Sequence, residues 1–345
     1  MKIALDVMGG DHAPQNPIGG VKLALESLPQ IEKIFLVGVP EVMEREMAAQ
    51  GLKMSSKLEI VPASQVVDMS DSGLDAVRKK KDSSISRAVD LVKDGRADAV
   101  VSAGHTGAAV TASLIKLRTV SHIERPAIAS IMPSLAKNWV LIDAGANPDS
   151  EPAHLVQNAI MGHAFARHVL GIAHPVVGLM SNGTEEEKGN ALTKETAKLL
   201  RQTPGLNFRG NVEGHDIWED PPDVVVCDGF TGNIILKSAE ALAHSMFAMI
   251  KREILASSLP VKIGAKLARP AFKRVHQKTN ADEAGGMPLL GLNGITIIAH
   301  GGASAYAMKN AIRQACESIK HQVNPHIIAA ATAHSIHLHS HTPAT

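Results

Sequence analysis

Five short turns, rich in glycine and small polar residues, carry the residue types in this sequence that are best suited to chemistry. Each turn follows an apolar run that ends in Asp or Ser. Backbone N–H groups at such turns, and at the helix starts behind them, bind phosphate and other anions. One such turn alone is most simply a chain reversal between strand and helix, but five together favour a shared anion site and an enzyme. The turns are Asp6-Val7-Met8-Gly9-Gly10-Asp11-His12, Ser102-Ala103-Gly104-His105-Thr106-Gly107, Asp143-Ala144-Gly145-Ala146-Asn147, Ser181-Asn182-Gly183-Thr184 and Asp228-Gly229-Phe230-Thr231-Gly232-Asn233.

The fourth turn continues into three acidic residues and a single lysine, Glu185-Glu186-Glu187-Lys188. The lysine ammonium is a compact charge that can neutralise a phosphate or the charge that develops on a carbonyl oxygen. The alternative is an ion pair with Glu185 or Glu186 that only orders the loop. The electrostatic argument favours a role in catalysis. In the fifth turn, Thr231 is placed to cap a helix whose free N–H groups point at an anion.

Other catalytic groups have weaker support. Cys227 ends a run of valines and Cys316 lies in an apolar helical pattern, so we expect two buried thiols and no acyl-cysteine intermediate. The sequence has no GxGxxG, GxxxxGK[ST], HExxH or CxxC motif. It therefore disfavours a nicotinamide-type Rossmann start and a Walker-type nucleotide enzyme, and it predicts no structural metal and no cofactor. Four histidines near glycine turns are candidate general bases only if their pKa and reach suit that role: His12, His105, His215 and His300.

The elements that must position these turns are strands alternating with helices. Loops that follow parallel strands gather at one edge of a sheet, so we expect the turns to converge there. Every residue between Asp223 and Asp228 is apolar, as in a central strand that is covered on both faces. We therefore predict an α/β fold with a mostly parallel sheet. The strand-like runs are 3–7, 33–39, 58–62, 97–102, 127–132, 139–143, 175–180, 223–228 and 294–299.

The composition is that of an ordinary globular protein of 345 residues, 45% hydrophobic and 20% charged. A formal net charge of +1 and 3% aromatic residues argue against nucleic acid as a partner. Two cysteines form no disulfide framework, and no leader precedes the first strand, so a cytoplasmic protein is expected. Without an apolar run of about 18 residues, contact with a membrane is expected to be peripheral.

Residues 251–278 break the pattern with eight Lys or Arg against one acid, interleaved with apolar residues. Pro260 and Pro270 are expected to divide this segment into short helices. Its middle piece is typical of a basic amphipathic helix at a membrane surface. Periodicity alone supports equally a solvated hairpin packed on its own domain or on a dimer partner. The candidate contact residues are Leu259, Lys262, Ile263, Lys266, Leu267, Arg269 and Phe272. The His-containing tail, 326–345, is expected to be disordered.

Taken in order, the motifs resemble the bacterial phosphate acyltransferases of phospholipid synthesis, from residue 1 to about residue 325. They are Ile3–Pro14, Ser102-Ala103-Gly104, Ser181–Gly189, Asp228–Asn233 and His300-Gly301-Gly302-Ala303-Ser304. The resemblance implies a homodimer of three-layer α/β/α subunits, each a single catalytic unit of two interlocked subdomains. The fold is that of phosphotransacetylases and of isocitrate and isopropylmalate dehydrogenases. The family makes acyl phosphate from acyl–acyl carrier protein and inorganic phosphate, and passes it to a membrane glycerol-3-phosphate acyltransferase.

For that reaction the hypothesis assigns Lys188 and Asn182 to the tetrahedral intermediate and Asn233 to phosphate. His105 stands where the family usually has Asn, and it adds a titratable group. The other phosphate- or substrate-binding candidates are Asp6, Gly9, Gly10, Asp11, His12, Ser102, Gly104, His105, Thr106, Gly107, Asp143, Asn147, Gly183, Thr184, Asp228, Gly229, Thr231, Gly232, Gly301 and Ser304.

The acidic carrier protein is expected to dock on a basic surface, either 251–278 or Arg78-Lys79-Lys80-Lys81. We favour an anionic membrane for 251–278 because that segment adds exposed apolar residues to its charge. Two other functions remain open from the sequence. One is an NAD-dependent decarboxylating dehydrogenase of the same fold, and the other is a non-catalytic adaptor for the carrier protein or the membrane.

Overall fold

A single eleven-stranded sheet forms the centre of the molecule in a computed structural model that describes residues 1–68, 71 and 73–338. The strands alternate with helices along the chain. The strands are β1 (Lys2–Asp6), β2 (Lys33–Gly38), β3 (Leu58–Pro62), β4 (Ala99–Ser102), β5 (Ala127–Met132), β6 (Trp139–Ile142), β7 (Val176–Met180), β8 (Asn207–Val212), β9 (Val224–Val226), β10 (Met287–Leu290) and β11 (Ile295–Ile298).

Helices cover both faces of this sheet. They are α1 (Gln15–Ser27), α2 (Pro40–Ala49), α3 (Gly73–Lys79), α4 (Ser84–Lys93), α5 (Thr106–Leu117), α6 (Pro152–His168), α7 (Ala191–Gln202), α8 (Asp216–Glu219), α9 (Gly229–Ala256), α10 (Leu259–Thr279), α11 (Ala281–Ala284), α12 (Ala305–Lys320) and α13 (Val323–Leu338).

The strand order is β3-β2-β1-β4-β11-β10-β5-β6-β9-β7-β8. Seven of the ten strand pairings are parallel, which confirms the mostly parallel sheet. All nine predicted strands are present within two residues at each end. The prediction missed β8 and β10. β8 is a polar edge strand containing Gly210, and β10 contains Pro288, a residue that argues against a central strand.

The expectation that all five turns lie at one edge is wrong in one respect. Strand β5 pairs antiparallel with both β10 and β6, and β10 pairs antiparallel with β11. Strands β1, β4 and β11 therefore run in one direction, and β6, β9 and β7 run in the opposite direction. Together with the turn His300–Ser304 after β11, the five turns form two groups of three, each at the carboxyl ends of three neighbouring strands.

The core shows why the sheet has two helical layers. On one face a continuous apolar cluster, shared by α3, α4, α5, α8 and α9, runs under both strand groups. On the other face the core divides into one cluster under α1, α2 and α12 and another under α6, α7 and α13. Val225 faces the first layer, while Val224 and Val226 face the second. This arrangement confirms the three-layer α/β/α fold and the central position of the valine strand.

Residues 251–278 fold as the end of α9 and nearly all of α10. The expected division occurs just before Pro260, between Ala256 and Leu259, but it does not occur at Pro270. Pro260 lies in the first turn of α10, where its missing N–H costs nothing, and Pro270 lies inside a helix that continues to Thr279. No residue of α10 is buried, so the second arm of this helical hairpin projects from the sheet layers.

The tail also differs from expectation. Helix α13 continues to Leu338 and is anchored on α6 through Val323, Ile327 and Ala331, which are all buried. The expected disorder is therefore wrong for residues 326–338, because an apolar stripe at helical spacing packs onto the core. The rest of that prediction, 339–345, lies outside the described residues. Within the described part of the chain, no helix has the length and apolar character needed to cross a bilayer.

Candidate active site

The first group of turns is joined by a buried carboxyl. The Ser102 hydroxyl donates a hydrogen bond to Asp6 Oδ2 at 2.7 Å and accepts one from the Gly104 N–H at 3.0 Å. Asp6 is only 2% exposed. A side chain at Gly9 would place its Cβ 2.6 Å from Asp6 Oδ2 and 2.7 Å from the Gly104 nitrogen. Glycine is therefore required where the β1 and β4 turns touch.

The turn after β11 completes this group. The Asp11 N–H donates to the Gly301 carbonyl at 2.8 Å, while the Asp11 and His12 side chains are exposed. Ser304 caps α12 by accepting from the Ala307 N–H, and its hydroxyl donates to Asp282 at 2.7 Å. The structure thus brings Asp6, Gly9, Gly10, Asp11, Ser102, Gly104 and Gly301 together, but it uses Ser304 as a helix cap.

A pocket lies between the β1 turn, the β4 turn and the start of α4. Asp6 Oδ1 is buried and has no hydrogen-bond partner among the described residues. Burial raises the pKa of the Asp6 carboxyl, and the polar groups around it, the Ser84 and Ser102 hydroxyls and the Met8 and Gly9 backbone groups, oppose that shift. The pocket is lined by Asp6, Met8, Gly9, Val66, Val67, Ser84, Ile85, Ser102, Gly104, His105 and Ala108.

His105 forms the N-cap of α5, and its Nδ1 accepts a hydrogen bond from the Ala108 N–H at 3.1 Å. In the neutral ring this assigns the hydrogen to Nε2. An asparagine at this position would cap the helix in the same way, so His105 preserves the cap. Gly107, in the first turn, lies against Gly73 of α3. The N-terminus of α5 therefore opens on the pocket.

The buried carboxylate of Asp143 holds the second group of turns together. Asp143 is fully buried and accepts hydrogen bonds from the Ile128, Gly145, Ala146 and Asn147 backbone N–H groups at 2.8–3.1 Å. Burial raises the pKa of Asp143, and these hydrogen bonds oppose the shift. Asn147 Nδ2 donates to Asp143 and to the Pro126 carbonyl. Their contacts give Asp143 and Asn147 a scaffolding role within the loop.

Asp228, and not Thr231, caps α9. It accepts from the Thr231 N–H and from the Thr231 hydroxyl, each at 2.8 Å. Gly229 donates to the Asn147 carbonyl, and Gly232 packs so closely that an added Cβ would lie 1.9 Å from the Asp143 carbonyl oxygen. The predicted cap at Thr231 is wrong because α9 begins two residues earlier. Asn233 follows, beside Gly145.

The third member of this group is the turn after β7. Glu186 pairs with Arg201 at 2.8 Å, and Asn182 Oδ1 accepts from the Gly189 N–H at 2.8 Å. Lys188 is exposed, and no carboxylate of the described residues pairs with its ammonium within 4.0 Å. The alternative ion pair with Glu185 or Glu186 is therefore not formed. Asn182 and Thr184 are exposed beside it, and Gly183 is buried.

Helix α9 connects the two groups. From Asp228 to Glu240 it spans about 18 Å, and Glu240 lies within electrostatic range of His300 in the first group. Burial raises the pKa of Glu240, while the charges of His300 and Lys237 oppose the shift.

Sequence reasoning missed several of these residues. Lys237 and Glu240 follow Asn233 at i+4 and i+7, so one helix face would have indicated them. In the sequence Ser84 carries only the signal of a helix start, and Met8 is only part of a turn. Met8, Val66, Val67 and Ile85 carry no signal of their own, because apolar pocket walls look like core residues in a sequence.

Neither thiol is placed as a nucleophile. Burial raises the pKa of Cys227 well above its ordinary value and that of Cys316 to about 11. Cys227 Sγ donates to the Asp143 carbonyl at 3.6 Å. Within the described residues, no three His, Cys, Asp or Glu side chains form a group that could hold a metal ion.

The chain is similar to known proteins in both sequence and structure. The family model described as fatty acid synthesis protein matches residues 1–326. The phosphate acyltransferase of Akkermansia muciniphila is 48% identical over 330 residues, covering 94% of each chain. That of Desulfitobacterium hafniense DCB-2 is 48% identical over 322 residues, covering 93% of this chain and 94% of the relative.

The chain belongs to the phosphate acyltransferase family. It is accordingly an acyltransferase enzyme, and the family match ends one residue beyond the limit predicted from the motifs. Among solved structures, a Streptococcus pyogenes phosphotransacetylase has a TM-score of 0.59 at 20% identity, covering 93% of this chain and 94% of that one. An Enterococcus faecalis branched-chain phosphotransacylase also scores 0.59, at 15% identity, covering 92% and 99%. These similarities confirm the fold shared by phosphate acyltransferases and phosphotransacetylases.

Proposed function

We propose that this acyltransferase converts a long-chain acyl–acyl carrier protein and inorganic phosphate into acyl phosphate and free carrier protein, as a supply for glycerol-3-phosphate acylation. The observation that carries the proposal is the pocket at the N-terminus of α5. The first N–H groups of a helix have no partner within the helix, and they suit an anion. The described residues place no cysteine thiol there, and an acyl transfer to phosphate needs none.

The reaction balances without a further reactant. An oxygen of monohydrogen phosphate bonds to the thioester carbonyl carbon, the carbon–sulfur bond breaks, and the phosphate hydrogen ends on the thiol. Because phosphate is already nucleophilic, the enzyme must mainly align it and stabilise the oxyanion of the tetrahedral intermediate. Lys188, whose ammonium is exposed and unpaired with any described carboxylate, is assigned to that oxyanion together with Asn182. Asn233 is assigned to phosphate.

Acyl phosphate formation is the direct test. Purified protein is incubated with a long-chain acyl–carrier protein and phosphate, and the product is trapped with hydroxylamine. We expect a hydroxamate that depends on phosphate and needs no nucleotide. No product from folded protein over several chain lengths would contradict the proposal. Titration with NAD would then test the dehydrogenase alternative, and carrier-protein binding without turnover would indicate the adaptor.

The carrier protein is proposed to dock beside the α5 pocket. Arg78, Lys79 and Lys81 are exposed on and after α3, which packs against α5. Lys80 is already paired with Asp71 at 2.6 Å. Lys79 pairs with Asp75 at 3.4 Å on the exposed surface of α3. An acidic carrier protein would be steered to these three exposed cations, and its acyl group would arrive next to the pocket.

Peripheral membrane binding is proposed for α10. Leu259, Ile263 and Leu267 are 70%, 52% and 78% exposed and recur every four residues, so they form one stripe. A basic stripe lies beside it, formed by Lys262, Lys266 and Arg269. The apolar and basic stripes together suit the surface of an anionic bilayer. Phe272 is about 140° around the helix from Leu267 and only 38% exposed, so we leave it out of this contact.

A homodimer is proposed through the second half of α9. Leu242, Met246 and Met249 are 59%, 49% and 48% exposed on a stretch without Lys or Arg. An apolar helix face of this kind is normally covered by a partner, and a second copy would cover it symmetrically. Sedimentation should give twice the mass of one chain.

A further inference from the structure

The loop that carries Lys188 is held by a side chain of the neighbouring edge strand. Asn211, in β8, donates from Nδ2 to the Glu185 carbonyl at 2.8 Å, and the same carbonyl accepts from the Lys188 N–H at 3.2 Å. One carbonyl oxygen therefore joins the sheet to the backbone of Lys188. Directly after Lys188, the Gly189 N–H donates to Asn182 Oδ1 at 2.8 Å, so the backbone is fixed on both sides of the lysine.

A β-bulge turns Asn211 towards this loop. The register of β8 against β7 shifts after Phe208, because Arg209 is an extra residue, and Gly210 follows with a φ of +113°. Phe208 packs on the α6–α7 side of the sheet, whereas Val212 packs on the opposite side. In a regular strand these two residues would face the same side. The bulge reverses the alternation and so places Asn211 on the side where α7 begins directly after the loop.

Packing alone does not account for an asparagine at this position. Asn211 is only 9% exposed, and its Oδ1 is buried without a hydrogen bond among the described residues. An unpaired buried carbonyl oxygen costs free energy, so an apolar side chain of similar size would suit the packing at least as well. The asparagine is therefore explained by the hydrogen bond from its Nδ2 to the loop.

We propose that Asn211 is a positioning residue, which holds the Glu185 carbonyl and thereby places Lys188 at the oxyanion of the tetrahedral intermediate. The inference rests on the proposed function, because Lys188 is assigned to that oxyanion there. No described carboxylate pairs with the Lys188 ammonium, so its placement depends on the backbone that carries it. Placement matters for rate, since a displacement of about 1 Å can slow an enzyme by about 100-fold.

Steady-state kinetics of acyl phosphate formation test this role. Asn211→Leu removes the amide and keeps the volume of the side chain. It should lower kcat by about 10- to 100-fold and leave the KM values for phosphate and acyl–carrier protein within about twofold of wild type. In a Lys188→Ala background the same substitution should lower kcat no further, because the ammonium that Asn211 places is gone. Asn207→Leu makes the same exchange at an exposed position of β8 and should keep wild-type kcat.

Amide hydrogen exchange of the loop gives a second readout, which needs no turnover. In Asn211→Leu we expect the Lys188 amide, which donates to the Glu185 carbonyl, to exchange about 3- to 10-fold faster than in wild type. The Asn207→Leu protein should exchange at the wild-type rate. Asn211→Val replaces the leucine variant in both experiments if the leucine variant does not fold.

Three results would overturn the inference: wild-type kcat in folded Asn211→Leu protein, a further loss of kcat in the Lys188→Ala background, or unchanged exchange at the Lys188 amide. Failure of the proposed function is distinguishable from each of these. Wild-type protein that makes no acyl phosphate would contradict that function, whereas faster exchange in Asn211→Leu would still support the placement of Lys188 by Asn211.

Discussion

The Ser102 hydroxyl lies 2.7 Å from Asp6 Oδ2 and joins the carboxyl ends of the neighbouring strands β1 and β4. The same hydroxyl accepts from the Gly104 N–H, so one side chain orients both the acid and the turn that precedes α5. Hydrogen bonding to the ionised carboxyl also opposes the upward shift that burial gives the pKa of Asp6.

Replacing Ser102 with Ala should therefore affect stability and phosphate use together. We expect the variant to lose about 1–3 kcal/mol in free energy of unfolding, because Asp6 Oδ2 and the Gly104 N–H both lose a partner. We also expect a higher KM for phosphate with a smaller change for the acyl donor. Urea unfolding and steady-state kinetics measure the two effects. Ser102→Thr keeps the hydroxyl and should restore phosphate KM; equal KM values in all three proteins would contradict this role.

Asp143 is predicted to matter for folding and not for substrate binding. Asp143→Asn exchanges one acceptor oxygen for an NH2 group, so at least one of the four backbone N–H groups that now donate to the carboxylate loses its acceptor. We expect a loss of about 2–4 kcal/mol in free energy of unfolding. The exposed neighbour Asp149 serves as the control, since Asp149→Asn should be within about 0.5 kcal/mol of wild type. A stable Asp143→Asn protein with a raised phosphate KM would instead make Asp143 a ligand.

The sequence was informative where one residue type has one physical meaning, and less so where contacts depend on topology. Valine runs identified the central strands, because only strands covered on both faces are apolar throughout. The turn residues lie at the carboxyl ends of strands, yet Asp143 and Asp228 accept hydrogen bonds from their own turn and helix start. The two groups of turns are separated because β5 is antiparallel to its neighbours. No local sequence pattern indicates the direction of β5, since it depends on pairing with β10, a strand distant in sequence. Glu240 likewise approaches His300 only because α9 crosses the sheet face.

Lys188 is predicted to act in turnover. Lys188→Ala should lower kcat by about 100-fold or more if the ammonium stabilises the tetrahedral oxyanion. The side chain is exposed, so the variant should unfold at the same urea concentration as wild type. Lys194→Ala removes another exposed lysine, from the adjacent α7, and should leave kcat unchanged. If the two alanine variants have the same kcat, Lys188 has no part in the mechanism.

Membrane binding by α10 is testable by flotation with anionic vesicles. The double variant Leu259→Glu, Leu267→Glu should stay in the bottom fraction while wild type floats, because two charges enter the stripe that would contact the acyl chains. Its matched control is Val261→Glu, Val275→Glu, which changes two exposed residues on another side of the same helix. Equal flotation of wild type and the Leu259→Glu, Leu267→Glu variant would exclude this stripe as the lipid contact.

The α6–α13 contact is predicted to weaken in acid. His168 and His326 stack with ring centroids 3.5 Å apart, and the pKa of His168 is lowered by burial, then by the charges of His326 and Arg167. The pKa of His163, on the same helix, is lowered by burial and by Arg167, His334 and His168.

A histidine whose pKa is lower in the folded protein binds more protons when unfolded, so the free energy of unfolding falls as the pH drops below about 6.5. His326→Phe keeps a ring against His168 but removes one positive charge. It should therefore lose less stability than wild type between pH 7 and pH 5, whereas His174→Gln in an exposed loop should match wild type. Urea unfolding at both pH values measures this difference, and an unchanged pH dependence in His326→Phe would show that the stacked pair does not couple the anchoring of α13 to protonation.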